Sequence, residues 1–349
     1  TMAVIVFPTE KRARKACDEL EFESPAVAHI CFGGEGGQLT AVRTLVREFD
    51  LVGITSAVLA LGPPQLLKRD PREWSNPKSL VPVPITRRGD LGSMMTVAST
   101  IRRLNPRVIL CHSHRHAVAG VIGQMLSGRR PALVVVEHQS THLRSRKDNL
   151  LSGLAIAVSR GVVFLTRQYR QQYPVRWFQV LLRRPGFVVP NGIRVGSHES
   201  LGSGGSRTRR QTMKTIGMAS RLVPTKEHDV LIRALHILRT QAGDEGVRLV
   251  VAGEGPTLDE LRALTADLGL TDSVLFLGHI SADEVPEFLE TLDVYAHATL
   301  GEGFSIALLE AAKAGVPIVV SDVPGVNEFF VDGETAVLVP PSNPKAMAR

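Results

Sequence analysis

The sequence predicts an α/β protein made of two doubly wound, parallel-sheet domains. Short runs rich in Val and Ile, apolar throughout, recur along the chain, as strands covered on both faces require. Segments of helical period separate them, so successive strands are joined by crossovers and lie parallel. The 349 residues are too many for one small domain and suit two of ordinary size.

In the first half the strand-like runs fall at 26–32, 51–59, 107–112, 132–137, 161–165 and 186–190. In the second half they fall at 214–218, 247–252, 273–277, 293–297 and 316–320. Between the two series, Gly196 to Arg210 is rich in Gly and Ser and has no apolar period, which marks a linker. The predicted organisation is a Rossmann-like domain over 1–195, a linker over 196–210 and a second Rossmann-like domain over 211–349. Two such domains leave a cleft, and open parallel sheets bind ligands at the C-terminal ends of their strands. Before the first domain, Glu10 to Glu23 reads as a charged helix docked on it.

The formal net charge of +7 hides an asymmetry. Residues 1–210 carry 31 Lys/Arg against 14 Asp/Glu, or +17, and residues 211–349 carry 10 against 20, or −10. A uniformly basic nucleic-acid binder has no such split, and none is expected as a partner; two halves with different electrostatic tasks do. Cys17, Cys31 and Cys111 form no CxxC and no even framework, which fits reduced thiols in a cytoplasmic protein. The longest apolar run, Leu150 to Leu165, is broken by Ser152, Ser159 and Arg160 and falls short of the roughly 20 residues a bilayer span needs. The apolar start Ala3 to Phe7 lacks a basic region before it, so no signal peptide is expected.

The second half holds the most informative stretch, Gly301-Glu302-Gly303-Phe304-Ser305. Ser305 is a helix N-cap ahead of Ile306, Leu308, Leu309 and Ala312, Gly315 stops that helix, and Pro317 opens the next strand. A glycine-rich loop leading into a helix N-terminus suits an anion such as pyrophosphate. Glu302 in the loop and Glu310 on the second turn can each accept hydrogen bonds from paired sugar or ribose hydroxyls. Arg221 and Lys226, the only cations between Lys214 and Arg233, follow the first strand of this acidic domain. Phosphate oxygens are a reason for cations there. Val251-Ala252-Gly253-Glu254-Gly255-Pro256 and Leu277-Gly278-His279-Ile280 add two more strand ends with glycines on the same edge.

In the first half, strand 26–32 runs into Gly33-Gly34-Glu35-Gly36-Gly37 before another helix. The dinucleotide fingerprint GxGxxG fails here at Leu39, and at Gly253 it fails at Leu258, so a nicotinamide cofactor is not expected. His112, His114 and His116 alternate after the 107–112 strand and invite a metal-hydrolase reading. An HxHxDH site needs Asp where Arg115 stands, and clear carboxylate ligands are lacking. His138 ends the next strand and can hydrogen-bond a sugar hydroxyl or act as a satisfied core histidine.

Taken together, these motifs resemble the retaining glycosyltransferases of family 4, which have the GT-B architecture. The matching features are Glu302-x7-Glu310 with Gly303-Phe304-Ser305 between, Gly217-x3-Arg221-x4-Lys226, Val251 to Pro256, Gly315-Val316-Pro317-Ile318-Val319, Pro324-Gly325, Asn327-Glu328 and Gly333. Val188-Val189-Pro190-Asn191-Gly192-Ile193 matches the family's turn before the linker, with Arg194 in place of the usual acid. The resemblance implies that Arg221 and Lys226 bind the donor diphosphate and that Glu310 holds the ribose. It implies that Glu302, with the backbone near Phe304 and Ser305, holds the transferred sugar, and that Gly255 and His279 flank the base. It places Gly37 under the donor phosphates and His138 near the sugar. A front-face mechanism follows from the family, with the leaving phosphate accepting the acceptor's proton. The sequence contains no DxD, so no metal or other cofactor is required. Family members continue into a helix that crosses back onto the first domain; here Ala346-Met347-Ala348-Arg349 reads as its first turn, so the crossover helix is expected to be missing.

The nucleotide-sugar donor belongs to the acidic half and the acceptor to the basic half. Arg144, Arg146, Lys147 and the run Arg170 to Arg184, interleaved with Tyr169, Tyr173, Trp177, Phe178, Leu181 and Leu182, suit a lipid-linked or otherwise anionic acceptor and peripheral contact with an anionic membrane. The competing readings are the metal hydrolase and a GT-B protein that binds nucleotide-sugar without turning it over.

Overall fold

The structure, a computed structural model, describes residues 24–33, 37–62, 80–84, 91–138, 145–173, 183, 185–193, 214–241, 243 and 245–349. It forms two compact units, Thr1–Gly192 and Ile193–Arg349. The expected helix over 10–23, the linker 196–210, Arg144 and most of the run 174–184 lie outside the described residues.

The first unit is a seven-stranded, wholly parallel sheet in the order β3-β2-β1-β4-β5-β6-β7. Its strands are β1 Val27–Phe32, β2 Ser56–Gly62, β3 Leu80–Pro84, β4 Val108–Cys111, β5 Ala132–Glu137, β6 Gly161–Phe164 and β7 Gly186–Val188. Helices α1 Gly37–Leu51, α2 Leu91–Leu104, α3 Ala117–Leu126, α4 Arg146–Val158 and α5 Arg167–Gln172 lie between them. Alternate residues of β1 serve opposite faces. Ala28 and Ile30 pack with Ile101 of α2 and Ala119 of α3, while Cys31 packs with Leu39, Val42 and Val46 of α1. Burial on both faces is why these strands are apolar throughout. Cys31 and Cys111 are buried thiols outside any disulfide.

The second unit is a six-stranded parallel sheet in the order β10-β9-β8-β11-β12-β13. Its strands are β8 Lys214–Ala219, β9 Val247–Ala252, β10 Val274–Gly278, β11 Val294–His297, β12 Ile318–Ser321 and β13 Val337–Val339. The helices are α6 His228–Gln241, α7 Leu258–Asp267, α8 Val285–Glu290, α9 Ile306–Lys313 and α10 Pro344–Met347. One face buries Phe288, Tyr295, Leu308 and Val320; the other buries Met218, Leu231, Leu235 and Val251.

Each sheet reverses its strand order once, between β1 and β4 in the first unit and between β8 and β11 in the second. Crevices at such points, outside the strand C-termini, are where open α/β sheets hold ligands.

Three expectations needed correction. The run at 51–59 is not one strand: α1 extends through Leu51, the chain turns at Gly53 with φ 74°, and β2 begins at Ser56. Leu51 and Val52 are exposed residues of the helix end, and their apolar character imitated a strand start. The sequence reading passed over β3, whose prolines at 82 and 84 cannot donate to a ladder; at a sheet edge that costs nothing. It also passed over β13, the three-residue strand at the other sheet's edge.

The apolar run 150–165 is shared between α4 and β6, and among the described residues no helix is long and apolar enough to cross a membrane. Tyr169 and Tyr173, read as part of a lipid-facing pattern, are 3% exposed and belong to the core. Tyr173 packs edge-on against Phe164 and donates its hydroxyl proton to Glu137 at 2.9 Å.

Candidate functional site

In the second unit the chain leaves β8 at Ala219 and passes through Ser220 and Arg221 to a single 3₁₀ turn, Pro224–Lys226. Glu227 follows in the left-handed region, with φ 37°, and redirects the chain into α6. Its carboxylate is engaged by the Ser342 hydroxyl and by the Ser342 amide. On the other side of the reversal point, β11 ends at His297 and continues through Thr299 to Glu302. The Leu300 amide donates to the Thr225 carbonyl at 3.0 Å, and the Thr299 hydroxyl donates to the same carbonyl at 3.1 Å. These two bonds hold the loops after β8 and β11 side by side.

That stitching brings Lys226 and Glu302, which are 76 residues apart, into an ion pair. The Glu302 oxygen that meets the Lys226 ammonium also lies 2.6 Å from His297 Nε2. Burial alone would raise the Glu302 carboxyl, but the Lys226 charge and the His297 hydrogen bond override it and hold the pKa at about 2. Burial pushes the His297 ring down, against the pull of Glu302, so the ring is neutral and donates through Nε2. His297 Nδ1 then faces the Tyr295 hydroxyl at 3.4 Å, and that hydroxyl also donates to the Ala219 carbonyl at 3.2 Å. The result is a buried carboxylate, fixed on two sides, at the reversal point of the sheet.

The other residues singled out from sequence in this unit sit on its loops and on α9. Arg221 is exposed on the loop after β8. Ser305 caps α9, its side chain accepting from the Leu308 amide at 3.4 Å. Phe304 packs edge-on against Phe329 with ring centres 4.3 Å apart. Glu310, on the second turn of α9, is half-buried; burial raises its carboxyl to about 7, only partly offset by Lys313. Gly255 follows β9, where its backbone presses against Leu222, and His279 is exposed after β10. The Gly253 amide ties these two loops together by donating to the Gly278 carbonyl at 2.7 Å.

Sequence reasoning did not single out His297. Its signal was a polar side chain at the end of an apolar strand, two residues after Tyr295, but the partner that gives it a task is five residues further on in a loop.

In the first unit Gly37 is the exposed first residue of α1, and the next side chain, Gln38, donates to the His112 carbonyl. His138 is half-buried just beyond β5. Its Nε2 lies 3.0 Å from His112 Nδ1. The three histidines of the 112–116 segment do not converge. His112 reaches His29 and His138. His114 Nδ1 lies 3.3 Å from Glu137 and its Nε2 3.5 Å from Asp148. The His116 ring bonds to the Ile30 backbone. Among the described residues no three His, Cys, Asp or Glu side chains are gathered as metal ligands, so the hydrolase reading loses the cluster it required.

Comparison with solved structures places the fold. Anabaena HepE in complex with UDP and glucose superposes with a TM-score of 0.73, over 93% of this chain and 88% of that one, at 19% identity. The architecture is that of the GT-B glycosyltransferases. Residues 206–349 match the family model of glycosyl transferases group 1.

Among curated relatives, the GDP-mannose-dependent alpha-(1-6)-phosphatidylinositol monomannoside mannosyltransferase of Mycobacterium tuberculosis is 37% identical over 140 residues, 38% of this chain and 36% of that protein. An exopolysaccharide phosphotransferase of Streptomyces coelicolor is 33% identical over 228 residues, 64% of this chain and 22% of its own length. The chain therefore spans little more than a third of the mannosyltransferase and a smaller part of the phosphotransferase.

Proposed function

We propose that this chain is a retaining glycosyltransferase of family 4 that moves a sugar from a nucleotide-diphosphate sugar to an anionic or lipid-linked acceptor. The observation that carries the reading is the Lys226–Glu302–His297 cluster. It lies at the strand reversal of the unit whose sequence matches the family model of glycosyl transferases group 1. Lys226 and Arg221 neutralise the donor diphosphate and the charge that grows on it as the glycosidic bond breaks. Glu302, held ionised, accepts hydrogen bonds from hydroxyls of the transferred sugar, beside the backbone at Phe304 and Ser305. Glu310 takes the ribose hydroxyls, Gly255 and His279 border the base, and His138 and Gly37 serve the substrates from the first unit.

In a front-face reaction the departing phosphate oxygen takes the acceptor's proton, so this chain supplies charge stabilisation and positioning. No metal or organic cofactor is needed for that division of labour. The acceptor reading rests on the +17 charge of residues 1–210. It also rests on the phosphatidylinositol-based substrate in the mannosyltransferase relative's name. Contact with an anionic membrane would rest on arginines such as Arg167 and Arg170, since Tyr169 and Tyr173 are buried.

The test is a thermal-shift screen of UDP-, GDP- and ADP-sugars, followed by nucleotide release with anionic and lipid-linked acceptors and NMR of the product anomer. A ligand at a hundred times its dissociation constant stabilises by about 2.7 kcal/mol, which moves the melting temperature by several degrees. Stabilisation with release and a retained anomer is the expected outcome. Stabilisation without release for any acceptor points instead to a silent binding protein, and no stabilisation at all removes the donor site.

Glu310 supplies a pH signature. Its folded pKa is raised, so its contribution to the unliganded protein's stability is present below the ordinary 4.5 and is lost as pH rises through about 7. Ribose hydroxyls need the ionised form as acceptor. Donor-induced stabilisation is therefore expected to grow across pH 6 to 8 while the unliganded melting temperature declines, and Glu310→Gln should flatten both trends.

A further inference from the structure

Two buried imidazoles and a half-buried third cross the strand reversal of the first unit in a line. His29 lies within β1 and is fully buried, His112 follows β4 and is 2% exposed, and His138 follows β5. His29 Nδ1 is 3.0 Å from His112 Nε2, and His112 Nδ1 is 3.0 Å from His138 Nε2. The His29 and His112 rings stack with centres 5.3 Å apart, and Phe49 of α1 covers the other side of His29. Among the described residues, His29 Nε2, at the inner end, is buried and has no hydrogen-bond partner.

Proton counting leaves few arrangements. Burial lowers His29 and His138 to about 4, and burial together with its histidine neighbours takes His112 well below its ordinary value. The rings are therefore neutral near pH 7, and each carries one ring proton. Every nitrogen–nitrogen contact needs one proton and one lone pair. His112 makes two such contacts with one proton, so it donates in one and accepts in the other, and the line is polarised in one direction only. If the protons pointed inward, His29 Nε2 would be a buried N–H without an acceptor. If they point outward, it is a bare lone pair. Orphaned buried N–H groups are the rarer of the two. The outward arrangement has His29 Nδ1–H donating to His112 and His112 Nδ1–H donating to His138.

We propose that His29 and His112 are positioning residues that lock His138 in a single tautomer, with its proton on Nδ1, so that His138 meets substrate as a neutral hydrogen-bond donor of fixed orientation. Which imidazole nitrogen carries the proton is set by the bond the other nitrogen makes. Here that setting originates two rings back, in the core. The lock is a property of the first unit alone; its consequence for turnover rests on the transferase reading above.

The test is ¹⁵N–¹H correlation NMR of the histidine rings in the full chain, together with turnover. In the wild-type protein His138 should show a pyrrole-type Nδ1 and a pyridine-type Nε2. His112→Leu removes the donor to His138 Nε2 and should shift His138 toward the Nε2–H form or a mixture. Turnover should fall roughly 10- to 100-fold, mainly in kcat. His112→Asn, which can place an amide donor near the Nδ1 position, should restore both the tautomer and most of the rate. An Nε2–H or mixed His138 in the wild type overturns the proposal, whether or not any variant folds. A folded His112→Leu protein with unchanged His138 signals also overturns it. The expected tautomers in a protein that transfers no sugar would uphold the lock and refute the transferase reading instead, so the two fail separately.

Discussion

Turnover of the nucleotide sugar is expected to fall by at least about a hundredfold when Glu302 is replaced by alanine, the scale seen when one preorganised charged partner of a reacting group is removed. The protein should remain folded. Lys226 loses its partner in that variant but is partly exposed and can turn to water, and the buried Nε2–H of the neutral His297 is left unpaired at a cost of about 1–3 kcal/mol. The reverse change behaves differently. Lys226→Met leaves a buried carboxylate with its main counter-charge gone, which costs about 3–5 kcal/mol and should be plain in urea denaturation. The pH dependence carries the same signature. Because its folded pKa is depressed, Glu302 contributes stability that is present above the ordinary 4.5 and lost as pH falls through about 2. In Lys226→Met burial prevails, the carboxyl takes a proton at higher pH, and the acid limb of the stability curve should move upward. If Glu302→Ala kept turnover within a few-fold of wild type, this carboxylate would have no part in holding the sugar.

The sequence was most legible where burial is symmetrical. The strands at 132–137 and 247–252 were read to the residue, because a strand covered on both faces is a largely apolar run, interrupted in the second only by Arg248. It was least legible at edges and ends. Pro82 and Pro84 look like strand breakers, and only the sheet order reveals that they lie where no donor is needed. Lys226 and Glu302 stood out individually, the first as a rare cation in an acidic half and the second in a glycine-rich loop. That one salts the other depends on two hydrogen bonds to Thr225, which no spacing encodes. His29 and His297 illustrate the limit. Each is a polar residue in an apolar strand, and the pattern registers its burial without registering its partner. The alternation of His112, His114 and His116 invites a metal reading that the sequence itself disfavours through Arg115; the rings, close in sequence, are sent to different partners around the 3₁₀ turn at 114–116.

Gly253→Ala is expected to be the most damaging single methyl in the second unit. The backbone at Gly253 has φ 138°, and a Cβ there would stand 1.9 Å from the Ser220 carbonyl oxygen and 2.9 Å from its carbon. Backbone cannot yield as a side-chain tip can. Ser220 is held by its amide bond to the Ala252 carbonyl at 3.0 Å, and Leu222 by its bond to the Glu254 carbonyl at 2.9 Å. A methyl at 253 must break this short pairing, and Arg221 lies in its middle. The variant should lose at least about 3 kcal/mol, from strain and severed backbone hydrogen bonds together, and should lose donor binding in step because Arg221 moves. Gly269→Ala is the control. Its φ of 68° is equally unsuited to a side chain, but nothing lies within 4 Å of the added carbon. Only the left-handed backbone is penalised there, by roughly 1–2 kcal/mol, with donor binding intact. Denaturant melts of the two variants side by side separate backbone strain from close approach. Equal losses would mean that the loops after β8 and β9 are not packed backbone to backbone. A clear excess at Gly253 would establish why the loop presenting Arg221 requires glycine opposite it.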